Sequence, residues 1–468
     1  MNTAMFLSIF LALGVVYLVL GVLTSRKIKT VEDYFLAGRD LGLWPLTFTL
    51  VATQIGGGMM LGTADAAYVD GYFGVFYTLG MSVGFLLLGF GLASKLRQFN
   101  VATTAELFEV KYGSAFLRKS ASIISALSMV GILASQVVAS RALFNVLGIN
   151  NEFFLLLFWA FVLIYTVMGG LKAVVVTDIL QVIFLVTIVA AVFAYALLGE
   201  PVSFFTVTSF VGRQSVFSSS GVGAAFLSQV PILLTSALYP LFGQDLAQRF
   251  FSARTKKIAA LSALFSSAIM LTFSFIPVYF GMKARLLGLS IGAGSSVFYS
   301  VINVLTNDFT LALVGCALIA AITSTADSLL CAISSNITQD FDYSLTESKK
   351  LVLSKVVTCL AGFVSISLAY YSQNILGVLA ESYGLLISAL FIPVFFCFFT
   401  NNLKKEAAFF SVFSGAGTFG LLKIISLPFS SELSAIVSVV LPLVVSLLGY
   451  GAGHLVSKPV MVEKSFKI

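Results

Sequence analysis

Charge is what this sequence has least of. Asp, Glu, Lys and Arg make up 10% of its 468 residues, whereas soluble domains carry roughly 25%, so an ordinary water-solvated surface is excluded. Histidine is scarcer still, with His454 alone. Without an imidazole cluster, an HExxH pair or a GxxxxGKS/T phosphate loop, a hydrolytic metalloenzyme and an ATP-driven pump both lose support, and the chain reads as no enzyme. Four cysteines, Cys316, Cys331, Cys359 and Cys397, fall in apolar stretches without CxxC spacing; they read as buried, inert thiols. The longest polar segments, 94–119, 199–222 and 282–309, are loops by length, and the tail after residue 456 is short. Nothing there reads as the appended output domain that a sensor would need.

What is present is apolar. Hydrophobic residues make up 59% of the chain, with 45 Phe and a mean hydropathy of +1.03, which places it among polytopic membrane proteins. Crossing about 30 Å of hydrocarbon takes roughly 20 residues. Such stretches fall at 5–24, 44–67, 72–93, 120–146, 152–168, 174–198, 223–246, 258–281, 310–335, 352–371, 374–400, 406–425 and 433–456, which makes 13 helices. The first has no basic residue before it and reads as a retained signal anchor.

The net charge of +7 follows the membrane rather than a nucleic acid. With the N-terminus outside, internal segments hold 22 of the 27 Lys and Arg, among them Arg39, Arg97, Arg118, Arg249 and Arg254, while external loops keep Arg213, Lys283 and Arg285. The positive-inside rule then puts the C-terminus in the cytoplasm of a multi-pass protein of the plasma or inner membrane, with lipid as its surroundings.

Polar groups inside the spans are costly and therefore informative. Ser324-Thr325-Ala326-Asp327-Ser328 puts hydroxyls and a carboxylate within an apolar helix; a carboxylate at the bilayer centre costs about 2.5 to 3.5 kcal/mol on insertion scales. Oxygen ligands of this kind suit a hard cation. Gly56-Gly57-Gly58 makes a continuous second span improbable, because each glycine costs about 1 kcal/mol against alanine and freed backbone at membrane depth must line a cavity or be buried in protein. Pro231, Pro240 and Gly243 interrupt the seventh span. Interrupted helices at corresponding positions of two halves point to a transporter site between inverted repeats. Setting the first span aside leaves two halves of five helices, 44–198 and 223–400, followed by two peripheral helices at 406–456. The Asn336-Ile337-Thr338 sequon falls at a cytoplasmic helix end and carries no weight.

Several motifs in order carry a family resemblance. Asp33-Tyr34-Phe35-Leu36-Ala37-Gly38-Arg39 with Trp44, the stretch from Ala52 to Gly62, Gly169-Gly170-Leu171-Lys172 through Asp178 and Gln181, Gln248-Arg249, and Ser324 to Ser328 together resemble the sodium:solute symporter family. That family includes proline, pantothenate, sugar, sialic acid and choline transporters. The resemblance implies an all-α, leucine-transporter-like 5+5 inverted repeat with one extra N-terminal and two extra C-terminal helices. It implies a sodium site from the carbonyls of Ala52, Ile55 and Ala321 and the hydroxyls of Ser324 and Thr325. Asp178, Ser324, Asp327 and Ser328 correspond to a second acidic site, for a second sodium or a proton. By family position the solute lies near Gln54, Gly57, Met60, Tyr77, Phe242 and Tyr383.

The function so implied is sodium-coupled import of a small organic solute by alternating access, the protein acting as a monomer. Gln54 stands where choline-type members have an aromatic, and an amide suits a carboxylate, amide or hydroxyl, so an amino acid or small organic acid is favoured. Proton coupling is the alternative, through Asp178 and Asp327; a choline, sugar or pantothenate substrate also stays open. A channel would need a continuous polar path, which one localised cluster does not suggest.

Overall fold

In the computed structural model, residues 3–26, 28, 30–149, 151–198, 221–292, 294–341, 345–372, 374–425 and 429–456 are described. Residues 199–220 of the expected 199–222 loop, with Arg213, and Lys27, Lys29 and the tail after Val456 lie outside them. Among the described residues the chain is helical apart from one isolated parallel bridge between Leu41 and Ala253. Eleven helices there are long and apolar enough to cross a membrane, as an integral membrane protein requires. The count is lower than 13 because two runs, Gly58–Phe99 of 42 residues and Glu152–Leu198 of 47, each join neighbouring helices through continuous helical turns, at Gly71–Val75 and across Gly170. At 1.5 Å per residue a straight helix of either length would measure roughly 60 to 70 Å, about twice a bilayer core, and both runs are broken within, at Gly71 and at Gly170.

The helices are α1 (Thr3–Ser25), α2 (Val31–Leu36), α3 (Leu43–Gln54), α4 (Thr63–Asp70), α5 (Phe76–Leu87), α6 (Ala93–Phe99), α7 (Glu106–Tyr112), α8 (Ala115–Val146) and α9 (Glu152–Leu198). After these come α10 (Gly221–Leu238), α11 (Gln244–Phe251), α12 (Lys256–Leu286), α13 (Val297–Leu305) and α14 (Asp308–Gln339). The last are α15 (Glu347–Leu368), α16 (Ile375–Leu386), α17 (Ile392–Phe399), α18 (Lys405–Ile424) and α19 (Ser431–Val456). Helix α14 is the central post, packed against α1, α8, α9 and α15. Its start is set by Asn307, whose side chain accepts the Thr310 N–H at 2.9 Å, satisfying one of the donors that every helix start leaves free.

The length of α9 is broken at Gly170, where φ is +50° and ψ −164°. A side chain there is excluded twice over. The left-handed φ disfavours it, and a Cβ would stand 2.5 Å from the Tyr34 carbonyl oxygen. Tyr34 belongs to α2, whose first turn is held by a reciprocal cap between Thr30 and Asp33, so the Asp33 to Arg39 motif and the Gly-Gly motif are two sides of one contact.

Arginines gather at one end of the bundle and tie down backbone carbonyls. Arg39 donates to Val101 O at 3.2 Å and Phe251 O at 3.4 Å, Arg97 to Ala253 O at 2.5 Å, and Arg118 to Gln339 O at 2.7 Å. Arg118 also pairs with Asp340 at 2.9 Å, just beyond the last residue of α14. Asp340 is fully buried and accepts Thr103 Oγ1 as well, at 2.5 Å. Burial pushes its carboxyl up to about 7, against the opposing pull of Thr103 and Arg118.

Several expectations are corrected. The segments 94–119 and 282–309 hold the short helices α7 and α13, too short to span and hence not visible as apolar runs. Arg249 and Lys283 are not loop residues: both are completely buried, in α11 and α12, because polar partners inside the bundle replace water. Pro231 does not break its helix, since α10 runs through it to Leu238; the interruption falls at Tyr239–Gly243, around Pro240 and Gly243. Cys359 is exposed on the outside of α15 whereas the other three thiols are buried.

Two outcomes follow from this packing. Gly170→Ala should destabilise the protein by about 2 to 4 kcal/mol, combining backbone strain with a forced shift of α2, read as a lowered melting temperature in detergent. Asp340 titrates higher in the fold than its ordinary value of 3.8, so the folded protein holds a proton that the unfolded chain releases. Its contribution to stability is therefore greatest below pH ~4 and declines as pH rises to about 7. The melting temperature of the parent minus that of Asp340→Asn should fall over that window and level off above it.

Candidate functional site

Helix α3 stops at Gln54, deep in the protein, and Ile55 (φ −79°, ψ 65°) turns the chain out of the helix. Regular hydrogen bonding resumes when the Met60 N–H reaches Gly56 O at 3.1 Å, and Gly58–Gly62 forms a wide π turn into α4. The interruption deprives two carbonyls of the donors a continuous helix would offer. Helix α14 replaces them. Ser324 Oγ donates to Ala52 O at 2.9 Å and lies 2.9 Å from Ala321 O; Thr325 Oγ1 donates to Thr53 O at 3.0 Å and lies 3.2 Å from Ala321 O.

Of the five residues expected at the first sodium site, Ala52, Ala321, Ser324 and Thr325 are thus drawn into one cluster, with Ile55 at the adjoining turn. The back-bonding of both hydroxyls to Ala321 is present too, alongside the contacts to α3. Close approach depends on Gly56, where a Cβ would lie 2.3 Å from Thr325 Oγ1. Gly57, expected to meet solute, instead gives its N–H to Gln136 Oε1 on α8 at 2.9 Å. All the oxygens are neutral, and turning the hydroxyl protons toward Ala321 would leave lone pairs for a small monovalent cation.

The four residues of the expected acidic site divide differently. Asp327 accepts a hydrogen bond from Tyr165 and one from Thr166 Oγ1, the latter at 2.5 Å, both on α9. Asp178 accepts from Thr49 Oγ1 at 2.5 Å and pairs with Arg249 at 3.2 Å. The same guanidinium reaches Ser328 Oγ at 2.5 Å, Thr49 Oγ1 at 2.9 Å and Asp245 O at 2.7 Å. A cation therefore does stand between Asp178 and Ser328, and it is the protein's own. Ser324 faces the neutral cluster instead.

Beside the broken helix is a small closed cavity. Gln54, Tyr77 and Tyr383 line it, as expected, together with Gln136, Tyr239 and Asp245. Tyr77 and Tyr383 are linked oxygen to oxygen at 3.3 Å, Tyr239 lies 4.3 Å from Tyr383 between ring centres, and the Tyr239 hydroxyl donates to Asp245 Oδ1 at 2.5 Å. Met60 and Phe242 are buried but do not line the cavity; Phe242 packs on Phe391 at 5.8 Å. Gln136, Tyr239 and Asp245 have no assigned role in the sequence, and Arg249 reads there as a cytoplasmic charge within a family motif rather than as a residue of the site. Gln136 could have been found by the argument used for Asp327, as a polar group amid a small and apolar span; the other three lie in or just after the second helix break.

The cavity has room for only about 10 Å³, on the scale of a single water. A separate cleft of about 550 Å³ is lined by Gly62, Asp65, Asn374, Leu376 and Glu381 among others. Leu376 borders the cleft and Leu379 the cavity, so the first turns of α16 form the partition. Asp65 is held in the wall by accepting the Val297 N–H at 3.1 Å.

The sequence profile of the sodium:solute symporter family matches residues 34–415. A sodium/proline symporter from Haemophilus influenzae is 26% identical over 439 residues, covering 86% of this chain and 84% of that protein. The structure of a Na+-coupled sialic acid symporter in a substrate-bound outward-open state superposes with a TM-score of 0.79 at 17% identity, covering 98% of this chain and 99% of the other. A nucleobase-cation-symport-1 family transporter, in a closed conformation with bromovinylhydantoin bound, gives 0.53 at 13% identity over 90% and 93%. At these identities the structural likenesses speak for the fold alone. With a profile match that runs from the α2 motif, through the broken helix and Ser324-Thr325, into α18, the chain belongs to the sodium:solute symporter family.

Proposed function

We propose that the protein is a sodium-coupled importer of a small organic solute, working by alternating access with one sodium per cycle. The observation that carries this is the meeting of the Ser324 and Thr325 hydroxyls with the carbonyls freed by the break in α3. The sodium ligands on this reading are Ala52, Ile55, Ala321, Ser324 and Thr325. Sodium there would hold the two sides of the break and α14 together, which is the shape the adjacent cavity needs. An ion entering down 100 mV contributes about 2.3 kcal/mol before any concentration difference. Coupling then requires only that ion and solute stabilise the same state.

The count of one sodium rests on Arg249, which already neutralises Asp178 and binds Ser328. The Asp178, Ser324, Asp327 and Ser328 set could take a second cation only after the guanidinium leaves. A proton on Asp327 is the competing coupling reaction.

We read the architecture as 13 spans by dividing the two overlong runs, one between α4 and α5 and the other at Gly170. Repeats of five spans then cover 44–198 and 223–400, with α1 before them and α18 and α19 after. In support, the breaks at Ile55–Gly57 and Tyr239–Gly243 open the two halves at equivalent points, and the overlooked helices α7 and α13 both precede the third span of their half. The arginine-rich end is the cytoplasmic one, with the N-terminus outside and the C-terminus inside.

For the solute, Asp245 offers a buried carboxylate to an ammonium group while Gln54 and Gln136 offer amides, so an amino acid is favoured. The tyrosines at 77, 239 and 383 favour a second reading, a quaternary or other organic cation held against aromatic faces. Either ligand must push α16 outward, because organic solutes fill sites of roughly 300 Å³ or more.

Uptake into proteoliposomes from a panel holding proline, choline, pantothenate, sugars and sialic acid should occur only under an inward sodium gradient; accumulation driven by protons and indifferent to sodium would refute symport with sodium. In that assay Ser324→Ala with Thr325→Ala should raise the half-saturating sodium concentration about a hundredfold, at roughly 1 to 1.5 kcal/mol per lost oxygen. The sodium Hill coefficient of the parent should be about one, and a value near two would assign a second sodium to the Asp178 and Asp327 region.

A further inference from the structure

Below the sodium cluster, one face of α14 continues as a polar stripe. Thr325, Ser328, Ala332, Ser335, Asn336 and Asp340 follow one another at intervals of three or four, apart from the adjacent pair 335 and 336, which keeps them on one side of the helix. From Thr325 to Asp340 the rise is roughly 22 Å, ending among the arginines. The single apolar member, Ala332, is small.

The lower part of this stripe is not satisfied by the protein. Ser335 Oγ, both amide atoms of Asn336 and Asp340 Oδ2 are buried without a hydrogen-bond partner. All three residues have at most 3% exposure. The facing helix α8 adds another, Ser125 Oγ, one turn from Ser122, whose hydroxyl donates to Asn336 O at 3.0 Å. Native interiors rarely leave such groups unpaired, and a cluster of them calls for a ligand. The oxygens on offer are a carboxylate, an amide carbonyl and hydroxyls, a donor set for a hard cation.

We infer that Ser335, Asn336 and Asp340 form a second, inner sodium-binding site, a way station through which the ion leaves the Ser324 and Thr325 cluster for the cytoplasm. This rests on the sodium-symport reading and on the basic end being cytoplasmic. Arg118 is its latch. The guanidinium holds Asp340 Oδ1 at 2.9 Å and Glu109 at 2.8 Å, so it neutralises the site when no ion is present and retains a carboxylate partner when sodium takes Asp340. The charged groups around the site are Asp340 itself, Arg118 on α8, and Glu106 and Glu109 on α7, with Thr103 the polar neighbour from the preceding loop. The inner site differs from the upper one in containing a carboxyl, whose ionised form, paired with Arg118 in the absence of an ion, draws the ion inward once the neutral cluster loosens.

The test uses sodium alone as the probe. A full-length chain that keeps Cys331, one turn before Ser335 on α14, and has its other three cysteines replaced by serine is reconstituted in liposomes, and its labelling rate with N-ethylmaleimide is measured in sodium or N-methylglucamine chloride. Sodium should slow labelling, and should still do so after Ser324→Ala and Thr325→Ala remove the upper site. Asn336→Ala, and separately Asp340→Asn, should then raise the half-protecting sodium concentration about tenfold, as loss of one ligand worth 1.4 kcal/mol predicts. Arg118→Gln should speed labelling in sodium-free buffer while leaving protection in place. Protection that vanishes with the upper hydroxyls, or that survives both lower substitutions unchanged, would overturn the inner site. The assay contains no solute, so a failure of sodium-driven uptake would refute the symport reading separately.

Discussion

The interruption of α3 at membrane depth is the constraint on which the rest of the site depends. A bilayer supplies no water to backbone carbonyls, so a helix that stops halfway must find donors from other helices. Ser324 and Thr325 serve Ala52 and Thr53, and Gln136 takes the Gly57 N–H. Gly56 has to lack a side chain for α14 to come so near. The same carbonyls that would be a defect in a lipid-facing helix are here grouped with two hydroxyls, a neutral set of oxygens of the kind a small cation would take. On the proposed reading, stability and ion binding draw on one set of atoms, and sodium would compete with the protein's own hydrogen bonds.

Electrostatic balance is the second organising principle. Arg249 is wholly buried, and its field is answered by Asp178, two hydroxyls and a carbonyl. Buried pairs of this sort contribute little net stability, but losing one partner is costly because the other charge is stranded. The pair joins α9, α11 and α14, with Thr49 adding α3, so any opening between these helices must carry the pair with it or break it. At the basic end Arg118 and Asp340 repeat the arrangement closer to the surface.

Much of this was legible in the residues. The Gly triplet marked the break in α3, the hydroxyl cluster marked α14, and three of six solute candidates, Gln54, Tyr77 and Tyr383, line the cavity. Legibility failed where a side chain's role depends on its neighbour across the bundle. Arg249 follows an apolar segment and precedes Arg254, Lys256 and Lys257, so it reads as one more cytoplasmic charge; only the fold of α11 back into the core turns it inward. Asp178 and Asp327 share a region yet point to different partners, which spacing along one helix cannot reveal. Pro231 and Pro240 look alike in the sequence. The first sits within α10, and the second lies in its break beside Gly243.

The sequence by itself determined that this is a multi-span membrane protein, where its helices are interrupted, and which polar groups stand at membrane depth, because lipid penalises each of these features whatever surrounds it. The family follows from motifs in the same linear order. Tertiary structure decided which oxygens meet. Ala52 and Ser324 are 272 residues apart, as are Thr53 and Thr325, and no local propensity carries information over that distance. It also decided that the acidic region holds an arginine and that the stripe below Ser328 is left unpartnered. Those outcomes depend on helix packing, in which a polar group is set by what the neighbouring helix presents to it.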